Sequence, residues 1–369
     1  GMWAFALWDT NRKELFCARD RFGIKPFYYT VSDNSFLFAS EIKALLEHPD
    51  VGKVPNDRML RAFLAHGLMD HTRETMFDGI FQLRPATSMI VRADGTMTTN
   101  QYWDLPINPA CCSKKEEEVV SAHRLNELLG DAIRLRLRSD VPVGTCLSGG
   151  IDSSTITLII NELIRSDHPG SIGDRQKTFS IVFDEKDCDE RRFIDAIVQV
   201  SGVDASRDIP RAETLREDLD RLLYHQDEPF ISLSIYAQFA VMRLASSKVK
   251  VVLDGQGADE QLGGYLAYQL PYIGGLIRSL HPFRALKELI GFCRHHRGFL
   301  GYAREQRSIR ARRRTMIRGD VPPSQRYRGS LDEVLFSDLF LTNLPALLHW
   351  EDRNSMAFSI EAQIGKSVV

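Results

Sequence analysis

No apolar run in this chain reaches the roughly 20 residues that a membrane-spanning helix needs, so a membrane partner is not expected. The six cysteines (Cys17, Cys111, Cys112, Cys146, Cys188 and Cys293) form no Cys-x-x-Cys pair. That spacing argues against a zinc site or a disulfide framework and predicts reduced thiols in a cytoplasmic setting. An excess of one charge is missing too: 47 Lys and Arg face 49 Asp and Glu, a formal net charge of −2. No global field draws nucleic acid, and none is expected as a partner. What is present is ordinary globular material, 43% hydrophobic and 26% charged over 369 residues. That length suits two or perhaps three domains of on the order of 150 residues each.

Residues 1–105 read as β-rich, with apolar stretches at 2–8, 14–18, 26–30, 36–39 and 88–92 broken by polar turns such as Asp9-Thr10-Asn11 and Ala93-Asp94-Gly95. Short helices are expected at 41–47 and 57–67. Gly1–Trp8 is apolar and strand-like from its first residue, which leads us to expect a chain that opens inside a domain. Residues 106–118, with Pro106, Pro109 and the run Lys114-Lys115-Glu116-Glu117-Glu118, read as a linker.

From 119 onward helices and strands alternate: helix 119–138, strand 144–147, helix 155–165, strand 178–183, helix 191–201, helix 234–245 and strand 249–253. Alternation of this kind predicts βαβ units on a doubly wound parallel sheet, whose ligands sit beyond the carboxyl ends of the strands. Three such ends carry suggestive residues. The first is Leu147-Ser148-Gly149-Gly150-Ile151-Asp152-Ser153-Ser154. Its glycines allow close backbone approach, and the helix that follows points free N–H groups at an anion. Asp152 repels phosphate directly but suits a Mg²⁺ that bridges to phosphate oxygens. The loop lacks the Gly-Lys-Ser/Thr ending of a Walker A loop and the glycine spacing of a dinucleotide fold. The bland alternative is a strand–turn–helix junction with a serine and aspartate cap.

The second end is Asp254-Gly255-Gln256-Gly257-Ala258-Asp259-Glu260, followed by Gly263-Gly264-Tyr265. Here Asp259 is the candidate second Mg²⁺ ligand beside Asp152, the alternative being a turn with capping aspartates. The third is Phe179-Ser180-Ile181-Val182-Phe183-Asp184, whose backbone groups suit an adenine edge but which also reads as a plain buried strand.

The loop at 147–154 resembles the Ser-Gly-Gly-x-Asp-Ser loop of ATP pyrophosphatases. Together with 254–265 and Glu351-Asp352-Arg353-Asn354-Ser355-Met356, it resembles the glutamine-hydrolysing asparagine synthetases. Phe5-Ala6-Leu7-Trp8-Asp9, Arg19-Asp20-Arg21-Phe22-Gly23-Ile24-Lys25-Pro26 and Phe38-Ala39-Ser40-Glu41-Ile42-Lys43-Ala44-Leu45 resemble the later half of that family's glutaminase domain. The resemblance implies an α/β chain in two parts. Residues 1–105 would be the C-terminal half of an N-terminal-nucleophile glutaminase domain, β-rich and α+β. Residues 119–369 would be an ATP pyrophosphatase-type synthetase domain on a doubly wound parallel sheet, incomplete at its C-terminus.

The activity implied is ATP-dependent adenylation of the aspartate side-chain carboxylate with release of pyrophosphate, then attack by ammonia to give asparagine. Its small-molecule partners are aspartate, ATP, and glutamine or ammonia, and the assembly is compatible with a homodimer. Carried over, Leu147 and Ile181 would meet the adenosine by backbone groups. Ser148, Gly149, Gly150 and Ser153 would cradle pyrophosphate. Asp152 and Asp259 would hold Mg²⁺, and Asp254 and Gly255 would line the nucleotide pocket. A helix over 351–361, with Arg353 and Glu361, would support the site from below.

The chain departs from that pattern in three places. Gly1 stands at the start where the family has its nucleophilic cysteine, so glutamine hydrolysis by this polypeptide is not expected. Gln256 occupies a position where familiar members carry a glutamate; an amide keeps the hydrogen-bonding shape but takes no proton. This leaves open an amidotransferase acting on another carboxylate. The end, Gln363-Ile364-Gly365-Lys366-Ser367-Val368-Val369, replaces the family's continuation, so the chain is expected to be truncated at both ends. A non-catalytic, nucleotide-binding remnant is the remaining alternative. The arginine-rich run 304–318 reads as a solvated face.

Overall fold

The computed structural model describes residues 1–33, 35–105, 115–167, 170–185, 188–296 and 329–364, with four isolated positions between 304 and 317. Cys111, Cys112, linker residues 106–114, nearly all of the arginine-rich run, and residues 365–369 lie outside these. The chain divides into two compact units, Gly1–Pro109 with Asp259–His349, and Ala110–Ala258 with Trp350–Val369.

The first unit contains two antiparallel sheets. In one, β1 (Ala4–Asp9), β2 (Glu14–Arg19), β6 (Thr87–Arg92) and β7 (Met97–Gln101) pair in the order β1-β2-β6-β7. In the other, β3 (Tyr28–Ser32) lies between β4 (Ser35–Ala39) and β5 (Phe81–Gln82). Cys17, Phe27, Tyr29, Leu83, Met89 and Val91 form a buried cluster drawn from both sheets. The Arg19–Pro26 segment is held by two buried charges. The Asp20 carboxylate accepts from the backbone N–H of Phe22, Ile24 and Lys25 at 3.0–3.1 Å. The Arg19 guanidinium donates to the carbonyls of Lys25, Gly23 and Leu83 at 2.7–2.8 Å. Buried charges persist where every polar atom is met in this way.

The second unit is built on a five-stranded, wholly parallel sheet in the order β10-β9-β8-β11-β12. Its strands are β8 (Val143–Cys146), β9 (Lys177–Ile181), β10 (Asp204–Asp208), β11 (Val251–Asp254) and β12 (Glu361–Ile364). Period-2 alternation sends Val251 and Leu253 to one face, where they pack with Ile133, Ile156 and Ile160 of the helices Lys115–Arg136 and Ile151–Asp167. Val252 goes to the other face, with Met242 and Ala245 of the helix Ser234–Ser246 and with Ile360. Helices on both faces explain why β8 and β11 read as near-continuous small or apolar runs.

Several boundaries differ from the sequence expectation. Residues 115–118, read as linker, open the helix Lys115–Arg136. The helix expected from 155 starts at Ile151. Val249 lies past the end of the preceding helix, its N–H donating back to Ala245 O at 3.0 Å, and β11 begins at Val251. The helix expected over 351–361 ends at Met356. There Ser359 takes φ +56°, the Ile360 N–H returns to Ser355 O at 3.0 Å, and Glu361 opens β12.

Candidate functional site

In chain order the sheet runs outward from β8 to β9 and β10 on one side, and to β11 and β12 on the other. The order therefore reverses between β8 and β11. A doubly wound sheet leaves a crevice at that point, outside the carboxyl ends of the strands, and ligands bind there. The two loops flanking it are those that follow Cys146 and Asp254, and Ile181 ends the neighbouring β9. Of the site residues picked from the sequence, all but Asp259 belong to this unit.

The β8 loop is closed by its own hydroxyls. Ser153 Oγ accepts from the Ser148 N–H at 3.1 Å and lies 3.0 Å from Ser148 Oγ. Ser148 Oγ in turn accepts from the Gly150 N–H at 3.2 Å. Leu147 is anchored against β9: its N–H donates to Phe179 O at 2.9 Å, and its carbonyl accepts from Ser180 Oγ at 2.6 Å. Gly149 sits at φ +88°, and a Cβ there would lie 3.0 Å from Phe193 Cβ and 3.3 Å from Glu190 O. Glycine is needed at that position on both counts. Asp152 and Ser153 fall in the first turn of the 17-residue helix Ile151–Asp167.

Gly255 brings the second loop up to that turn: a Cβ on it would lie 3.2 Å from Asp152 Cβ and 3.5 Å from Ser153 N. The preceding Asp254 carboxylate accepts from the backbone N–H of Gly255 and Gln256 and lies beside the Cys146 thiol and the Glu351 carboxyl. Burial raises the Asp254 carboxyl above the ordinary carboxylate range against the pull of those hydrogen bonds. Burial first, then the nearby carboxylates, push the Cys146 thiol well up, so it stays protonated and is no nucleophile.

Glu351 and Cys146 were not picked out as site residues from the sequence alone. A signal did exist, since Glu351, Asp352, Arg353, Asn354 and Ser355 are five successive polar residues, all 6% exposed or less. Asn354 bonds Gln226 at 2.8 Å, Gln238 at 3.0 Å and the Ile235 carbonyl at 3.1 Å, and Arg353 pairs with Asp352. A polar run buried on every side of a helix is held for its hydrogen bonds, not its hydrophobicity.

Asp259 lies in the first turn of the short helix Ala258–Leu262 and is counted with the first unit. The Gly264 N–H donates to its carbonyl at 3.0 Å, and a Cβ on Gly264 would collide with its carboxylate. Beside it in that unit, the buried Glu260 accepts from Tyr265 Oη at 2.8 Å and from Asn343 Nδ2 at 2.5 Å. Among the described residues no helix is long and apolar enough to cross a membrane.

Comparison with known proteins divides the chain differently from its compact units, since Asp259–His349 packs with the first unit but falls within the second match. The glutamine amidotransferase domain profile matches residues 1–103, and the asparagine synthase profile matches 124–364. A protein of Methanocaldococcus jannaschii named as a glutamine-hydrolysing asparagine synthetase is 33% identical over 77% of this chain and 53% of its own length. Asparagine synthetase [glutamine-hydrolyzing] 1 of Bacillus subtilis is 30% identical over 78% and 42%. Amidase chry2 of Gibberella zeae is 32% identical over 73% and 40%. The chain thus spans about half the length, or less, of these relatives. The profile match over 124–364 shows that the chain belongs to the asparagine synthase family.

Proposed function

We propose that the second unit is the carboxylate-activating half of an ATP-dependent amide-forming ligase, with aspartate as the acceptor acid. In this reading residues 1–105 are the later half of a glutaminase domain, 106–118 a linker, and 119–369 the synthetase domain. The observation that carries it is the pairing of a small-residue loop (Ser148–Ser153) with a tight acidic turn (Asp254–Gly257) across the switch point of a parallel sheet.

The residues suit the chemistry. The loop is built of small residues with the Ser148 and Ser153 hydroxyls 3.0 Å apart at the start of a helix, which suits pyrophosphate. Leu147 and Ile181 lie at two adjacent strand ends, and their backbone is proposed to meet the adenosine. Asp152 offers hard oxygen donors in the first turn of a helix, and Mg²⁺ is commonly held by one or two carboxylates plus substrate phosphates. Asp259 is proposed as the second ligand. The ion when bound neutralises charge building on the leaving pyrophosphate. The aspartate carboxylate attacks the α-phosphorus of ATP, and the bond to the β-phosphate oxygen breaks. Ammonia, free or released from glutamine, then adds to the acyl carbon, AMP leaves, and asparagine forms. The setting proposed is the cytoplasm, with a homodimer as the assembly.

Gln256 favours a second reading, the same chemistry on a different acid, because an amide at this turn cannot accept the ammonia proton. Pyrophosphate release with ATP and ammonia, assayed across carboxylic acids, separates the two. Aspartate giving the fastest release supports the first; another acid turning over while aspartate does not supports the second. Asp152→Asn should cut the release by about 10²-fold or more, the scale of losing one electrostatic stabiliser. Unchanged release in that variant would sink both readings.

A further inference from the structure

In the first unit the helices Gln269–Arg278 and Pro282–His295 pack against each other, joined by Ser279-Leu280-His281. The proposed reaction makes no use of them. The second helix buries Ala285 and Phe292, which share one face. On a different face stand Phe283, 88% exposed, and the exposed Leu286 and Ile290. The turn adds Leu280, 87% exposed, and the end of the first helix adds the exposed Ile277. Single exposed apolar side chains are ordinary, but a run of large ones along one hairpin is not.

Leu280 also stands where glycine is the usual residue. Its N–H donates to Ile277 O at 3.2 Å and the His281 N–H to Leu276 O at 2.9 Å, the paired bonds of a Schellman helix end, and its φ is +61°. A leucine there bears left-handed backbone strain and gains no burial in return.

The charges beside this face are mostly of one sign. Residues 269–296 hold Arg278, Arg284, Lys287 and Arg294 against Glu288, and all four cations are exposed. Arg278 donates to the Gly329 carbonyl at 3.5 Å, which leaves its charge in place. Arg284, Lys287 and Arg294 have no ion-pair partner among the described residues. Lys287 and Arg294 each follow Phe283 and Ile290 by four positions, so each cation neighbours an apolar side chain on the helix surface.

We propose that this hairpin docks on an anionic lipid surface, with Leu280 and Phe283 entering among the acyl chains and the cations meeting the headgroups. A chain without a spanning helix can still lie on a membrane: a helix with Phe and Leu on one face and Lys and Arg beside it rests in the interface plane. The charges select this occupant over a second copy of the chain. Two copies meeting on this face would bring the same cations together, whereas anionic headgroups oppose them.

Flotation of the whole chain with vesicles is the test. Vesicles of phosphatidylcholine with about one third phosphatidylglycerol are compared with phosphatidylcholine alone. Binding to the mixed vesicles should be about tenfold or more tighter, and high salt should shrink the difference. Phe283→Ser should weaken binding about tenfold while melting like the parent. Leu280→Gly should weaken it about as much without lowering the melting temperature, because glycine relieves the turn. A leucine kept only for folding would not behave so. Lys287→Glu should weaken binding to the mixed vesicles about fivefold or more and leave binding to phosphatidylcholine unchanged. No binding to either vesicle, equal binding to both, or unchanged binding in either apolar variant overturns the proposal. Self-association that Phe283→Ser abolishes, with no vesicle binding, overturns it in favour of a second copy.

Discussion

The turn after β8 is satisfied by its own serines, whereas the turn after β11 carries a desolvated carboxylate beside a thiol and a second carboxyl. Both follow neighbouring parallel strands at their carboxyl ends, and both rely on glycine for close approach. The difference is one of electrostatics. The first loop holds its serine hydroxyls together at the start of a helix and has Asp152 in that helix's first turn, so it suits an anion with a cation. The second carries a buried carboxyl, Asp254, which desolvation raises above the ordinary carboxylate range. A site that must release pyrophosphate and manage protons on incoming ammonia benefits from keeping these tasks on separate loops.

The sharpest way to break this contrast is to add one methyl group to each loop. Gly149→Ala would place Cβ at 3.0 Å from Phe193 Cβ, 3.2 Å from Ile194 Cγ1 and 3.3 Å from a carbonyl, at φ +88°. The backbone strain alone should cost about 1–3 kcal/mol in urea unfolding, and nucleotide binding should fall with it. Gly255→Ala meets Asp152 Cβ at 3.2 Å. Its cost should stay below about 1 kcal/mol, while Asp152 is displaced and Mg²⁺-dependent binding weakens. Equal stability losses at the two positions would mean that the loops are not differently built.

Much of this was legible in the sequence, for physical reasons that differ by element. Strand ends at Leu147 and Asp254 are visible because an apolar run stops at Gly, Ser or Asp. The position of the crevice between β8 and β11 is not, because it depends on which strands are neighbours. β12 is only Glu361–Ile364, whose mixed residues continue a helical pattern as readily as they begin a strand. β10, Asp-Ala-Ser-Arg-Asp, is an edge strand without an apolar signature. The Cys146–Asp254–Glu351 contact joins residues more than 90 positions apart across two strands and a helix, so no local pattern encodes it.

The pH dependence sharpens the acidic side of the comparison. A carboxyl raised in the folded state is protonated there while the unfolded chain has already lost its proton. Asp254 therefore costs nothing at low pH, and its destabilising effect grows as pH rises from the ordinary carboxylate value of 3.8 through its raised folded value. Asp254→Asn removes that slope. The variant should match the parent at the acid end and unfold at higher denaturant near neutrality. A slope equal in the two proteins would show that Asp254 is not the group that titrates.

The smallest expected effect lies on the first loop. Ser153→Ala deletes the hydroxyl that accepts the Ser148 N–H at 3.1 Å and donates to the Gly150 carbonyl at 3.3 Å. Ser148 is exposed, so water replaces the lost acceptor, and stability should fall by only about 0.5–1.5 kcal/mol, independent of pH. Binding should respond differently. Without the Ser153 bridge the Ser148 hydroxyl and the Gly150 N–H are no longer fixed around one point, so affinity for pyrophosphate should drop more than stability does. Titrating pyrophosphate against Ser153→Ala and Asp254→Asn in parallel gives the decisive contrast: a loss confined to the serine variant assigns the anion to the first loop, and equal losses would remove the division between the two.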